Sequence, residues 1–330
     1  MKKFFSIFSG VLFFIFFAES VYAQRLSLSI SPPLVELIIK PSKSVLVAFT
    51  ITNNSDPVLL KINLKSFKPL SDTGTILVKE GLEGPINFNL ENSVIDFSKP
   101  FMLDKNRKEQ ALLKISVPPN APEGDYYYTL LVESIPEQGL NSTSVVNKAS
   151  IGANIIITVT DDGSIEIKPK IAFFGVLPEY KVNLFGRNIY IFDSFSEIPV
   201  ILKVANTGKN FFQPNGLITV EGLFGLTSSY SLLPQNVLAY SDRIIYASDS
   251  AGVIKKDYKD KTVSYVLSDL IFGRYKLRAE LSFGQNNDSK LFADSEFYVF
   301  PIKIALAVAI VFFVFFILKA FFINKKSKDA

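Results

Sequence analysis

The side chains that most often carry out chemistry are missing from this sequence. Its 330 residues include no His and no Cys. Without His, neither a Ser–His–Asp nor a Cys–His relay can form, and the usual general base and commonest zinc ligand are gone. Without Cys there are no disulfides, so the fold must rest on its core alone. Carboxylates, hydroxyls and aromatic rings remain. Two carboxylates can hydrolyse a glycosidic bond, but here Asp and Glu fall mostly in turns or alternate with Lys, the pattern of a solvated sheet face. Asp161-Asp162-Gly163-Ser164-Ile165-Glu166 has the composition of a calcium loop but not the EF-hand spacing. It reads as a solvated interdomain turn whose oxygens leave calcium at the junction open. Gly222-Leu223-Phe224-Gly225 lacks the spacing and Lys of a phosphate loop. No catalytic, cofactor-binding or metal-ligating residues are assigned, and an enzyme is not expected.

Aromatic clusters offer binding rather than catalysis. Tyr126-Tyr127-Tyr128 lies in a strand-like run, so Tyr126 and Tyr128 face one side and Tyr127 the other. Phe211 and Phe212 follow Gly208-Lys209-Asn210 in a loop. Phe211, Phe212 and Tyr127 are the candidate exposed contacts.

The elements that must position these residues read as strands. Val47, Phe49 and Ile51 alternate with Ala48, Thr50 and Thr52; Leu60, Ile62 and Leu64 alternate with Lys61, Asn63 and Lys65. A period of two marks strands with one buried face. Turn signals such as Asn53-Asn54-Ser55-Asp56-Pro57 and Pro118-Pro119-Asn120-Ala121-Pro122 separate them. A loose repeat suggests two copies of one architecture. In the first, a strand ends at Asn53, and Gly124-Asp125-Tyr126 opens a later one. In the second, a strand ends at Asn206-Thr207-Gly208, and Gly273-Arg274-Tyr275 opens a later one. Gly124 and Gly273 would supply turn geometry, and Tyr126 and Tyr275 a packed ring with a hydroxyl for the backbone, as in the tyrosine corner of Ig-like sandwiches. The expected fold is all-β, with two tandem Ig-like β-sandwich domains over 24–160 and 165–298 joined by a linker at 161–164.

Both ends of the chain are apolar. Lys2 and Lys3 precede a short apolar run and a small-residue site at Val21 and Ala23, the plan of a secretory signal peptide over 1–23 with cleavage before Gln24. A second apolar run gives an expected transmembrane helix over 301–323, near the roughly 20 residues a bilayer requires. Lys319, near its end, can snorkel to the interface. Lys325, Lys326 and Lys328 in the basic tail 324–330 should stay in the cytoplasm. Formal net charge is +4; the signal segment holds +1 and residues 303–330 hold +4, leaving −1 on the ectodomain 24–302. That balance excludes nucleic acid as an expected partner. The lipid bilayer is the expected partner of the helix.

The run Val117-Pro118-Pro119-Asn120-Ala121-Pro122-Glu123-Gly124-Asp125-Tyr126, with Ile39-Lys40-Pro41 ahead of a strand ending Ile51-Thr52-Asn53-Asn54-Ser55, resembles the first domain of the WxL-interacting surface proteins of Gram-positive bacteria. The plan of signal peptide, two Ig-like domains, one span and basic tail is similar over the full length. The resemblance implies association of the first domain with peptidoglycan and of the second with surface or host proteins. The second domain, through Pro214-Asn215-Gly216-Leu217-Ile218, Phe224-Gly225 and Gly273-Arg274-Tyr275, resembles a variant in envelope proteins of small-genome bacteria.

Three functions follow as expectations. The first is a non-enzymatic, membrane-anchored surface protein binding a cell-wall polymer or an envelope or surface protein through loop tips or sheet edges. The second is an accessory, chaperone-like subunit of a secretion or pilus apparatus. The third is an envelope glycan hydrolase using two carboxylates.

Overall fold

A computed structural model describes residues 27–91, 95–135, 148–178, 180–184, 186–284 and 289–326. The expected signal peptide 1–23 and Lys328 lie outside the described residues, as do the side chains of Lys325 and Lys326. The chain groups into two compact units. The first runs through Ser66 and adds Glu80–Ala121 and Tyr127–Ile156; the second comprises Phe67–Lys79, Pro122–Tyr126 and the chain from Ile157. The grouping follows contacts rather than chain order. Within the second unit, for example, the Asp72 carbonyl accepts the Ile244 amide at 2.7 Å, and the Thr73 carbonyl accepts the Tyr246 hydroxyl at 3.1 Å.

The first sandwich is built from β1 (Leu28–Ser31), β2 (Leu34–Ile39), β3 (Ser44–Asn53), β4 (Val58–Pro69), β5 (Ile76–Val78), β6 (Asn87–Leu90), β7 (Phe101–Leu103), β8 (Lys108–Ser116), β9 (Gly124–Ser134) and β10 (Ser150–Val159). One sheet has the order β1-β3-β8-β6. The other has the order β2-β10-β9-β4-β5, with β7 beside β4. Pro32 and Pro33, which lack amide hydrogens, interrupt the first strand, and the chain resumes as β2 in the opposite sheet. The alternating residues meet inside: Phe49, Ile51, Leu60, Ile62, Leu113 and Ile115 are fully buried, joined by Leu130 and Val132 from β9. Each contributes roughly 1.5–3 kcal/mol by leaving water.

The second sandwich has β11 (Pro169–Val176), β12 (Tyr180–Leu184), β13 (Arg187–Asp193), β14 (Ile198–Asn206), β15 (Asn215–Glu221), β16 (Thr227–Leu232), β17 (Ser241–Ile244), β18 (Ala247–Ser248), β19 (Asp257–Tyr258), β20 (Lys261–Thr262), β21 (Tyr265–Leu267), β22 (Gly273–Phe283) and β23 (Ser289–Phe300). One sheet runs β11-β14-β17, with β21 beside β14. The other runs β12-β13-β23-β22-β15-β16-β18, and β19 and β20 form a separate ribbon. The strand order repeats that of the first sandwich. An early strand pairs with the last one in the sheet (β2 with β10, β13 with β23), the last two strands are neighbours, and an early strand crosses to the other sheet. This is an Ig-like sandwich twice over. Its core holds Val200, Leu202, Val204, Leu277, Ala279 and Leu281, with Phe192 and Phe297 edge to face at 5.7 Å. A 25-residue helix, α1 (Ile302–Lys326), follows β23.

Candidate interaction surface

Each sandwich has a corner built on a buried asparagine. β3 ends at Asn53 and β14 at Asn206, whose side chains are buried. Asn53 Oδ1 accepts the Ser55 amide at 3.0 Å and the Ser55 hydroxyl at 2.7 Å; its Nδ2 donates to the Asp56 carbonyl at 2.8 Å and the Leu103 carbonyl at 3.0 Å. Asn206 does the same work. Its Oδ1 accepts the Gly208 amide at 2.9 Å, and its Nδ2 donates to the carbonyls of Asn210 at 2.8 Å and Val237 at 3.3 Å. Each is an Asx turn that closes a strand and satisfies carbonyls otherwise buried without a donor.

The glycine–tyrosine landmarks open β9 and β22. Gly124 has φ +139° and Gly273 φ +116°, a region that disfavours any side chain. Tyr126 is half-buried, and its hydroxyl donates at 2.9 Å to the Pro122 carbonyl four residues upstream, the bond of a tyrosine corner. Tyr275 differs: its ring stacks on Phe297 at 5.4 Å, with the planes 10° apart.

Around Gly124, the second unit carries a polar knot. Asp125 Oδ1 accepts the Thr158 hydroxyl at 2.7 Å and Asn210 Nδ2 at 2.9 Å, and its Oδ2 accepts the Phe211 amide. Lys209 Nζ lies 3.0 Å from Glu123 and 3.7 Å from Glu166. The Asp161 amide, followed by Lys209, holds the Glu123 carboxyl below its ordinary range; Lys168, followed by Lys209, does so for Glu166. The Ser164 hydroxyl and amide, with help from the Thr160 hydroxyl, push Asp162 down to about 2. A glycosidase needs one carboxyl raised enough to carry a proton. Among the described residues, every carboxyl with a displaced pKa is displaced downward. No group of three His, Cys, Asp or Glu side chains there could hold a metal ion.

The candidate contact aromatics are placed differently from the expectation. Phe212 is buried, 6% exposed, with its ring 5.8 Å from Phe283 in the core of the second sandwich. The pair of backbone bonds between Phe212 and Val237, at 3.1 and 2.8 Å, turns this ring inward. Phe211 and Tyr127 are half-buried. These three residues do not form an exposed stacking platform.

Two strands at sheet edges carry exposed apolar side chains. Among the described residues, β2 ends its sheet, with β10 as its one neighbouring strand. Leu34, Glu36 and Ile38 alternate outward along it, with Leu34 42% and Ile38 54% exposed. β12 ends the seven-stranded sheet with Tyr180 and Val182 exposed, but it has five residues against the six of β2. The outer face of β22 and β23 is charged and internally compensated. Arg274 pairs with Glu296, and Arg278 faces Asp294 at 2.8 Å, lining an open groove of about 610 Å³ with Thr219, Glu221 and Lys276. Among the described residues, one helix is long and apolar enough to cross a membrane: Ile302–Lys319 has mean hydropathy 2.6 and none of it is buried. Lys319 is exposed.

No protein-family model matches the chain, and no curated protein matches it. Solved structures overlap it loosely. The class 5 fimbriae chaperone CfaA has a TM-score of 0.37 and 10% identity over 82% of this chain and 99% of its own. The E. coli chaperone DraB has a TM-score of 0.36 and 13% identity over 84% and 98%. The Pseudomonas aeruginosa CupB2 chaperone has a TM-score of 0.33 and 12% identity over 81% and 98%. The Ig-like assignment rests on the strand order itself. The likeness to WxL-interacting proteins extends no further than two sandwiches and one apolar C-terminal helix.

Proposed function

We propose that this chain is a non-enzymatic, membrane-anchored envelope protein that holds an extended segment of another envelope or surface polypeptide against the free edge of β2. The observation that carries the reading is that edge. Among the described residues, β10 is the one strand paired with β2, and Leu34 and Ile38 stand exposed along it. An added strand gains main-chain hydrogen bonds for affinity and side-chain contacts at alternate positions for selectivity. Among the earlier expectations this is the assembly or chaperone-like subunit. The wall-polymer reading loses its named contacts, because Phe212 is buried and Phe211 and Tyr127 are half-buried. In this reading α1 spans the membrane, the sandwiches lie outside, and Lys319 with the following lysines marks the cytoplasmic end.

The test is Ile38→Lys in the full-length protein, tagged after Ala330 and crosslinked in intact cells. A charge on an edge blocks strand addition, and at a half-exposed site it should change stability by no more than about 0.5 kcal/mol. Loss of the co-purifying envelope protein at unchanged melting temperature is expected. Undiminished recovery of the same partner would overturn the assignment to β2.

A further inference from the structure

The second sandwich ends, where α1 leaves it, in a cluster of exposed apolar side chains that its own core does not use. Phe224 is 98% exposed, Leu226 73%, Phe195 62%, Ile271 61%, Phe272 51% and Phe300 46%. They come from three loops and a strand end, and backbone contacts bring all four together. The Phe195 amide donates to the Leu270 carbonyl at 2.9 Å, and the Ser194 amide to the Phe300 carbonyl at 3.2 Å. The Phe272 and Phe300 rings lie 5.9 Å apart. The 222–226 turn joins β15 to β16, and β15 brings Glu221 opposite Lys276, beside the start of β22. A Cβ on Gly273 would lie 2.5 Å from Leu223 Cδ1, so this turn packs on the same end. α1 begins two residues after Phe300. Asp193 fixes its first turn by accepting the Lys303 amide at 3.3 Å and pairing with Lys303 Nζ at 3.0 Å.

We infer that this end of the sandwich is a membrane-docking collar: Phe195, Phe224, Leu226, Ile271, Phe272 and Phe300 enter the interfacial layer of the bilayer that α1 crosses. The inference rests on the reading of α1 as a span. A soluble surface rarely gathers this many large apolar groups on adjoining loops, and here they surround the point where the chain would enter lipid. Apolar rings beside a basic side chain suit the boundary between headgroups and acyl chains. The clamp from Asp193 to Lys303 keeps the sandwich from swinging freely on α1, so the collar and the span engage one bilayer together. The consequence is a set orientation of the second sandwich above the membrane.

The chain has no Trp, so a single introduced Trp reports alone. Full-length Phe224→Trp, Phe312→Trp and Phe292→Trp proteins are placed in lipid bicelles with and without brominated lipid. Phe312 lies in α1. Phe292 is an exposed ring eight residues up β23 from Phe300, about 27 Å away at strand rise. The collar predicts that brominated lipid quenches Phe224→Trp and Phe312→Trp, while Phe292→Trp is quenched only by aqueous iodide. Quenching of Phe312→Trp with a water-exposed Phe224→Trp overturns the collar and leaves the span standing. Failure of brominated lipid to quench Phe312→Trp removes both. Quenching of all three overturns a contact confined to this end.

Discussion

Asn53 offers the sharpest perturbation of the shared architecture. Replacing it with Ala removes an amide that is fully buried and serves four partners within 3.0 Å. The Asp56 carbonyl is near enough to solvent to recover a water. The Leu103 carbonyl and the Ser55 amide are buried and cannot. A stranded buried donor or acceptor costs about 1–3 kcal/mol; two of them, near the low end of that range, give an expected loss of about 2–3 kcal/mol. For a body of about 100 residues, that is a fall in melting temperature on the order of 10 °C. The assay is thermal unfolding of the full-length protein in nanodiscs, followed by circular dichroism. Asn53→Asp should lose at least as much: it keeps the acceptor for the Ser55 amide but sets a buried carboxylate oxygen against the Asp56 and Leu103 carbonyls. Asn54→Ala is the control, since Asn54 is exposed. If Asn53→Ala melted within 1 °C of the parent, or Asn54→Ala cost as much, the corner would not be the strand lock described here.

Other outcomes follow from the same geometry. Phe212→Ala should destabilise by about 3–5 kcal/mol as a core truncation, and Phe211→Ala by clearly less, read by denaturant unfolding. Gly216→Ala should disrupt the second sandwich, because φ is +144° and a Cβ would sit 1.9 Å from the Glu280 carbonyl oxygen, a backbone atom; loss of the cooperative transition is the readout. Asp162 has a folded pKa of about 2 against an ordinary 3.8. Its contribution is therefore present above pH 4 and lost as pH falls through 2. In Asp162→Asn, unfolding free energy measured between pH 4 and 2 should fall less steeply than in the parent.

The period-two alternation placed the core strands well. Phe49 and Ile51, Leu60 and Ile62, and Leu113 and Ile115 are all buried, because half-buried strands force that pattern on the sequence. The Asn53 and Asn206 landmarks were visible because Asx turns require one side chain at one place. Burial of Phe212 was not visible, since its inward direction is set by a bridge to Val237, 25 residues away, rather than by loop composition. The free edge of β2 was equally hidden: sheet order is a non-local property, and Leu34-Val35-Glu36-Leu37-Ile38-Ile39 looks like any other strand in one dimension. Nor could a division at 161–164 anticipate that 67–79 and 122–126 would group with the later chain. The proposed collar has a sequence signal in Gly222-Leu223-Phe224-Gly225-Leu226, where large apolar residues sit between and beside glycines in a turn.

The measurement that bears most directly on the proposed function is photo-crosslinking in intact cells from probes placed singly at Leu34, Glu36 and Ile38, with Leu46, exposed on β3 in the opposite sheet, as reference. A strand added to β2 predicts crosslinks from the three positions that step along one partner segment at alternate residues, with none from Leu46. Crosslinks scattered over unrelated partners, or equally strong from Leu46, would contradict it.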